Sequence, residues 1–106
     1  MTKPDRIPCV VPFCGRTAKR LPDDGPDTEI ICGKHYRLAD KRLRKAASLA
    51  RRRGNRFYEK YKAAHETKQF EVADELFHQC RRYARIHMWL WSRIKKQAIE
   101  AAAGIA

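Results

Sequence analysis

The sequence has no long apolar run, and this limits the classes of protein it can belong to. None of its apolar stretches reaches the roughly 18 residues that a membrane-spanning helix needs. No apolar stretch follows the polar residues after Met1, so we expect no secretory signal and a cytoplasmic location. Hydrophobic residues still make up 43% of the chain, which favours a folded domain over disorder.

Proline is absent after Pro26, and the whole chain has only five glycines. Helix-favouring residues dominate from there to the C-terminus. The composition predicts a mostly α fold. We expect an N-terminal module at residues 1–44 that runs into the first helix, followed by an antiparallel helical hairpin at 45–106, packed as one small domain. Within the module, Thr17–Leu21 and Asp27–Ile31 flank a proline-rich turn, and this pattern predicts a short β-hairpin.

Acidic residues are almost missing from one segment of the chain. Of the net charge of +12, residues 33–56 carry +9, because they hold ten basic residues and a single acid, Asp40. A solvated helix face normally mixes both signs to form pairs four residues apart. The imbalance therefore favours a polyanionic partner, and nucleic acid is the most common one, with DNA favoured over RNA.

Two series of apolar residues repeat with helical spacing. One continues from Phe70 to Ile105 at alternating steps of three and four, as in a coiled coil, and a weaker one runs from Tyr36 to Ala64. Thr67-Lys68-Gln69 separates them, which predicts a hairpin that turns near residue 68. Gly54 lies within the weaker series, and a break there would instead give a three-helix bundle.

Cysteine and histidine occur in two close pairs with the spacing of a zinc site. Four residues separate Cys9 from Cys14, and two separate Cys32 from His35. Two such pairs joined by a loop supply the four tetrahedral ligands that structural zinc prefers. A disulfide would leave His35 without a role, and we expect no oxidising compartment. We therefore predict one structural zinc ion on these four residues, whereas Cys80 is expected to be a core residue.

The first pair followed by glycine, together with Ile31-Cys32-Gly33-Lys34-His35-Tyr36-Arg37, resembles the treble-clef zinc fingers of phage and prophage proteins. Some of those modules are attached to HNH nucleases. The resemblance covers residues 9 to about 44. It implies a zinc-stabilised fold that often contacts DNA or RNA, and a source in a phage or mobile element that would place the protein in the bacterial cytoplasm or nucleoid. It implies no single function, because treble clefs serve many.

The residues of a nuclease or another hydrolase are lacking. The chain has one asparagine, Asn55, and it falls in a predicted helix and not in the strand–loop–helix frame that HNH chemistry needs. No glycine-rich phosphate loop and no HExxH motif are present. Four protein ligands would also leave no open position on the zinc for water. We therefore expect a binding protein and not an enzyme: a nucleic-acid-binding accessory or regulatory factor.

Basic residues fall into two candidate nucleic-acid surfaces. The first is a stripe along the helix expected to begin at Gly33, with basic residues three or four apart: Lys34, Arg37, Lys41, Arg44 and Lys45. The second is a belt of seven arginines, which the hairpin would bring to one level: Arg51, Arg52, Arg53, Arg56, Arg81, Arg82 and Arg85. The belt depends on a first helix that continues past Gly54.

A protein-interaction surface is the alternative interpretation. The segment around Met88, Trp89 and Trp91 is apolar nearly all round a helix, which is more than one neighbouring helix can cover. Tryptophan and methionine are also favoured at interfaces. This surface would bind a host protein, such as a polymerase, nuclease or defence factor, or a second copy of the chain in a homodimer.

Overall fold

The computed structural model describes residues 5–104. Two short strands precede three helices, whose bounds are β1 (Arg6–Pro8), β2 (Thr17–Lys19), α1 (Gly33–Tyr36), α2 (Lys41–Glu66) and α3 (Phe70–Ala102). The protein is mostly helical, with a short antiparallel β-hairpin and a Cys/His cluster near the N-terminus and a long helical hairpin after them, which confirms the predicted fold class. Among the helices of residues 5–104, none is long and apolar enough to cross a membrane.

The chain forms two compact units. One contains the residues up to Lys41 together with those from Arg93 onward, and the other is Arg42–Ser92. The first unit therefore includes both strands, α1 and the C-terminal turns of α3. The second is built from most of α2 and the first two thirds of α3.

The β-hairpin uses a different partner strand from the one predicted. β2 pairs with β1, so that Arg6 lies opposite Lys19 and Pro8 opposite Thr17. The predicted pairing of Thr17–Leu21 with Asp27–Ile31 is wrong, and within the latter range only Ile30 makes an isolated bridge, which is parallel and joins it to Cys9. The proline-rich segment satisfies its own polar groups instead.

That segment closes through side chains. The Leu21 amide donates to a carboxylate oxygen of Asp24 over 2.8 Å, and the Arg20 guanidinium donates to the Gly25 carbonyl over 2.6 Å. Because Pro22 and Pro26 also lack the amide hydrogens that a strand ladder needs, β2 ends at this turn and does not continue into a second hairpin.

The first unit closes its small core with the end of α3. Cys9 and Val11, at the start of the loop after β1, are buried against Ala98, which is itself fully buried. The Asp40 amide donates to the Gln97 side-chain carbonyl over 2.8 Å, and Lys95 pairs with Glu29 at 3.0 Å. These contacts attach the last turns of α3 to the cysteine-bearing loops.

In the second unit, α2 and α3 run antiparallel. Residues late in α2 contact residues early in α3, and earlier residues of α2 contact later ones of α3. The ring pairs are His65 with Phe70 at 5.5 Å, Tyr61 with Phe77 at 5.4 Å, and Phe57 with Tyr83 at 5.7 Å between centroids. The predicted hairpin and its turn near residue 68 are confirmed.

Gly54 does not break α2, so the three-helix alternative is wrong. The helix is continuous from Lys41 to Glu66, and Gly54 is where the two helices approach closely. A Cβ atom on Gly54 would lie 3.3 Å from the Cβ of Tyr83, which is tighter than ordinary van der Waals contact. The missing side chain therefore allows the close approach.

We expect Gly54→Leu to lower the free energy of unfolding by about 1–3 kcal/mol, because the added side chain must push α3 away. Ala63→Leu is the matched control, since Ala63 is exposed on the same helix. Chemical denaturation followed by circular dichroism measures both. Equal stability of the two variants would show that the contact at Gly54 is not tight.

Candidate metal centre and basic surface

Four side chains of the first unit meet at one point. Cys9 follows β1, Cys14 ends the loop toward β2, Cys32 precedes α1, and His35 lies within α1. One ligand atom from each lies within 4.8 Å of the others. The chain therefore contains a candidate metal-binding site on the four residues that the sequence predicted.

The loop from β1 to β2, which carries the first two cysteines, is shaped by two residues with positive φ. Phe13 has a φ of 65° and Gly15 a φ of 76°, a region that glycine adopts freely and other residues rarely do. This turns the chain back so that the Cys9 amide donates to the Arg16 carbonyl over 2.9 Å. Both sulfurs consequently lie on the same side of the turn, toward α1.

The start of α1 supplies the other pair. The Cys32 amide donates to the Cys9 sulfur over 3.3 Å, which links the helix start to the first cysteine. Cys32 and His35 are three residues apart, so one helical turn brings both to the same face. No side chain caps this short helix, and the Cys32 sulfur faces the cluster instead.

Three of the separations between donor atoms are close to the edges of a zinc tetrahedron. The Cys14 and Cys32 sulfurs are 3.7 Å apart, and His35 Nδ1 is 3.9 Å from the Cys9 sulfur and 3.2 Å from the Cys32 sulfur. Zinc–sulfur bonds of about 2.3 Å place tetrahedral sulfurs about 3.8 Å apart. All three cysteines are free, because a disulfide would bring two sulfurs to about 2.05 Å.

The local electrostatics favour a cation. A backbone hydrogen bond from His35 is the main effect that lowers the pKa of the Cys32 thiol, to about 6. A backbone hydrogen bond from Arg16 lowers the pKa of Cys14, but partial burial and the sulfurs of Cys32 and Cys9 outweigh it and raise that pKa overall. A bound cation would stabilise all the thiolates at once and displace the proton that Cys14 retains.

Cys80 and His87 belong to the second unit and are not part of this cluster. Cys80 is half-buried, with its sulfur 3.9 Å from the Gly54 carbonyl oxygen, and burial raises the pKa of its thiol. His87 is also half-buried. The cluster of the first unit thus uses three of the four cysteines and one of the four histidines.

The stripe predicted from Lys34 to Lys45 does not follow one helix. α1 ends at Tyr36, and α2 begins only at Lys41. Between them, the Leu38 amide bonds to the His35 carbonyl, three residues back, so the chain tightens into a turn. Lys34, Arg37 and Lys41 are exposed in the first unit, whereas Arg44 is half-buried and Lys45 exposed in the second.

The two segments that carry the seven arginines of the belt lie against each other in the second unit. Gly54 contacts Tyr83 and Cys80, so the segment 51–56 of α2 lies against the segment 80–85 of α3. All seven arginine side chains are exposed. Within residues 5–104, none of the seven lies within ion-pair distance of a carboxylate.

Charge is strongly polarised along the helical hairpin. Residues 42–58 and 76–92, here called the acid-free half, hold ten basic residues and no acid. Residues 59–75, at the turn, hold three basic and five acidic residues. Because the helices are antiparallel, the two sequence segments form one end of the hairpin, and the belt lies within it.

The predicted interface residues separate into two environments. Met88 is 67% exposed and Trp89 60% exposed, whereas Trp91 is half-buried and Leu90 buried. The segment is therefore not apolar surface all round, since one side of it packs inside the protein.

The sequence analysis missed the role of Gln97, whose side-chain carbonyl accepts a hydrogen bond from the Asp40 amide, 57 residues away in the chain. No local pattern links two positions so distant.

Comparisons of the chain with protein-family models, with curated proteins and with solved structures find no match. What the protein does must therefore be inferred from the cluster and the charge distribution.

Proposed function

We propose that this protein is a zinc-stabilised nucleic-acid-binding factor of accessory or regulatory type. The observation that carries the proposal is the acid-free half of the hairpin, where seven exposed arginines occur with no carboxylate of the described chain paired to them. Like charges on neighbouring helical segments repel one another unless anions lie among them. A phosphate backbone supplies such anions at regular spacing, and arginine binds phosphate through a planar pair of donors.

Zinc has a structural role in this proposal. The ion would be held by Cys9, Cys14, Cys32 and His35, and these four ligands leave no position for a catalytic water. The first unit has a small core, so the ion would contribute much of its stability. Lys34, Arg37 and Lys41 then add phosphate contacts from this unit. In this proposal the protein binds DNA in preference to RNA and is not an enzyme. The treble-clef resemblance of its cysteine and histidine pairs supports a source in a phage or mobile element.

A protein partner is the second candidate function. Met88 and Trp89 are large apolar side chains that remain more than half exposed, and both residue types are common at interfaces. A host protein or a second copy of the chain would bury them. The surfaces of the two candidates share only α3, because a protein partner on Met88 and Trp89 would not contact the arginines of α2.

Purification at low and at high salt separates the two candidates. The nucleic-acid proposal expects oligonucleotides to co-elute with the protein at low salt, with a raised ratio of absorbance at 260 to 280 nm, and to dissociate at high salt. Protein that is free of nucleic acid at low salt and elutes with one stoichiometric protein partner would contradict it and support the second candidate.

A further inference from the structure

We propose that the cleft between α2 and α3 beside Gly54 binds one unpaired nucleobase of a single-stranded nucleic acid. This inference rests on the proposed function and specifies its substrate class. Every residue of the cleft belongs to the second unit, and the cleft opens in the acid-free half of the hairpin.

Small residues create the cleft. Ala50 and Gly54 of α2 line it together with Cys80 and Ala84 of α3, and their short side chains leave a space of about 280 Å³ between the helices. Ligand pockets of roughly 300 Å³ mark the small end of the usual range, so the cleft has room for one ring system with its sugar. It is too small to admit a duplex.

The walls of the cleft offer ring surfaces. Tyr58 lines it and is 50% exposed, and the Lys62 ammonium lies 5.2 Å from the centre of the Tyr58 ring. Tyr83 also lines the cleft and is held by stacking on Phe57 with the rings 15° apart. Bases stack on such rings regardless of their identity, which fits binding without strong sequence preference.

Polar groups at the cleft match a base and its phosphate. Asn55 provides an amide that both donates and accepts hydrogen bonds. Burial and the nearby Arg51 charge lower the pKa of His87, which favours the neutral imidazole with its one donor and one acceptor. Arg51 lines the same cleft and is exposed, in a position to bind the phosphate of the nucleotide whose base enters.

The charge around the cleft favours a nucleotide over a neutral molecule as its ligand. A second, smaller cleft of about 170 Å³ is also lined by aromatic residues, but Asp74 lines it and it lies where acids outnumber bases. The Gly54 cleft, by contrast, combines ring surfaces with a lining that contains Arg51 and no acid. Because bases within a duplex are paired and stacked, only an unpaired base can reach it.

The test compares two single-stranded oligonucleotides of twelve nucleotides, one with all its bases and one with abasic sites at its centre. Both carry the same phosphate charge. We expect the zinc-loaded protein to bind the complete strand roughly tenfold more tightly in fluorescence anisotropy, the order of effect known for stacking of one base on an aromatic side chain. Equal binding of the two strands would overturn the cleft inference and leave the proposed function standing, as would binding of a DNA duplex but of neither single strand. Binding of neither the strands nor the duplex would overturn both.

A substitution that fills the cleft gives the second arm. Ala84 lines the cleft and is exposed, so Ala84→Met should fold normally and block the base while leaving every charge in place. We expect it to abolish the preference for the complete strand without weakening binding to the abasic one. Ala63→Met, on an exposed helical position outside the cleft, should retain the preference. A preference that survives Ala84→Met would overturn the inference.

Discussion

Cys32→Ser is expected to abolish zinc binding and to unfold the module around the cluster. The substitution removes one of the four candidate ligands, the one whose thiol pKa is lowered to about 6. Structural zinc sites contribute apparent binding free energies of roughly 10–16 kcal/mol, more than a core of this size can replace. Residues 5–40 should lose the chemical-shift dispersion of a folded segment in the amide NMR spectrum.

Cys80→Ser is the matched control for this experiment. It makes the same chemical change at the one cysteine outside the cluster. We expect it to bind one equivalent of zinc by elemental analysis and to keep the dispersed spectrum, as the unchanged protein does. A chelator should unfold residues 5–40 of Cys80→Ser and of the unchanged protein, as the Cys32→Ser substitution does. If Cys32→Ser still bound one zinc ion, or if the chelated protein kept residues 5–40 folded, the zinc assignment would be wrong.

Reversing two charges of the belt is expected to produce the largest loss of nucleic-acid binding. Arg52 lies on α2 and Arg82 on α3, both exposed in the acid-free half. Replacing both by glutamate removes two phosphate contacts and adds repulsion, so affinity for a DNA oligonucleotide should fall on the order of a hundredfold at moderate salt. Stability should not fall, because no ion pair within residues 5–104 is lost.

The control reverses two lysines that lie outside the acid-free half. Lys60 and Lys96 are exposed, and their replacement by glutamate changes the net charge by the same amount as the belt variant. We expect at most a few-fold loss of affinity for this control, by the weaker long-range effect of net charge. Equal losses in both variants would mean that total charge and not the belt governs binding. Unchanged binding of the belt variant, with unchanged stability, would exclude the belt altogether.

The parts of the fold that depend on local spacing could be read from the sequence. Cys32 and His35 are brought together by one helical turn, and Cys9 and Cys14 by one short loop, so their spacing alone predicted the cluster. The apolar repeats of α2 and α3 likewise predicted which residues are in contact, because a hairpin that turns at a given residue has one register. Tyr61 and Phe77 are in contact as that register requires.

The errors concern choices between local alternatives of similar energy. The residues Asp27–Ile31 suit a strand, but the Asp24 and Arg20 side chains form hydrogen bonds with backbone groups of the preceding turn, and β2 ends before it. The basic stripe assumed one helix from Gly33 onward, although the chain turns between Tyr36 and Lys41. Packing of Ala98 on Cys9 and Val11 joins residues nearly 90 positions apart, and no periodicity encodes it.

The central claim is that the acid-free half binds phosphates, and the salt dependence of affinity tests it most directly. Binding of a labelled 20-base-pair DNA duplex is measured between 50 and 200 mM salt. Six to eight phosphate contacts predict a slope of about −5 to −7 for the logarithm of affinity against the logarithm of salt concentration. A slope near zero would contradict the account, because it would mean that the arginines of the hairpin release no counterions from DNA.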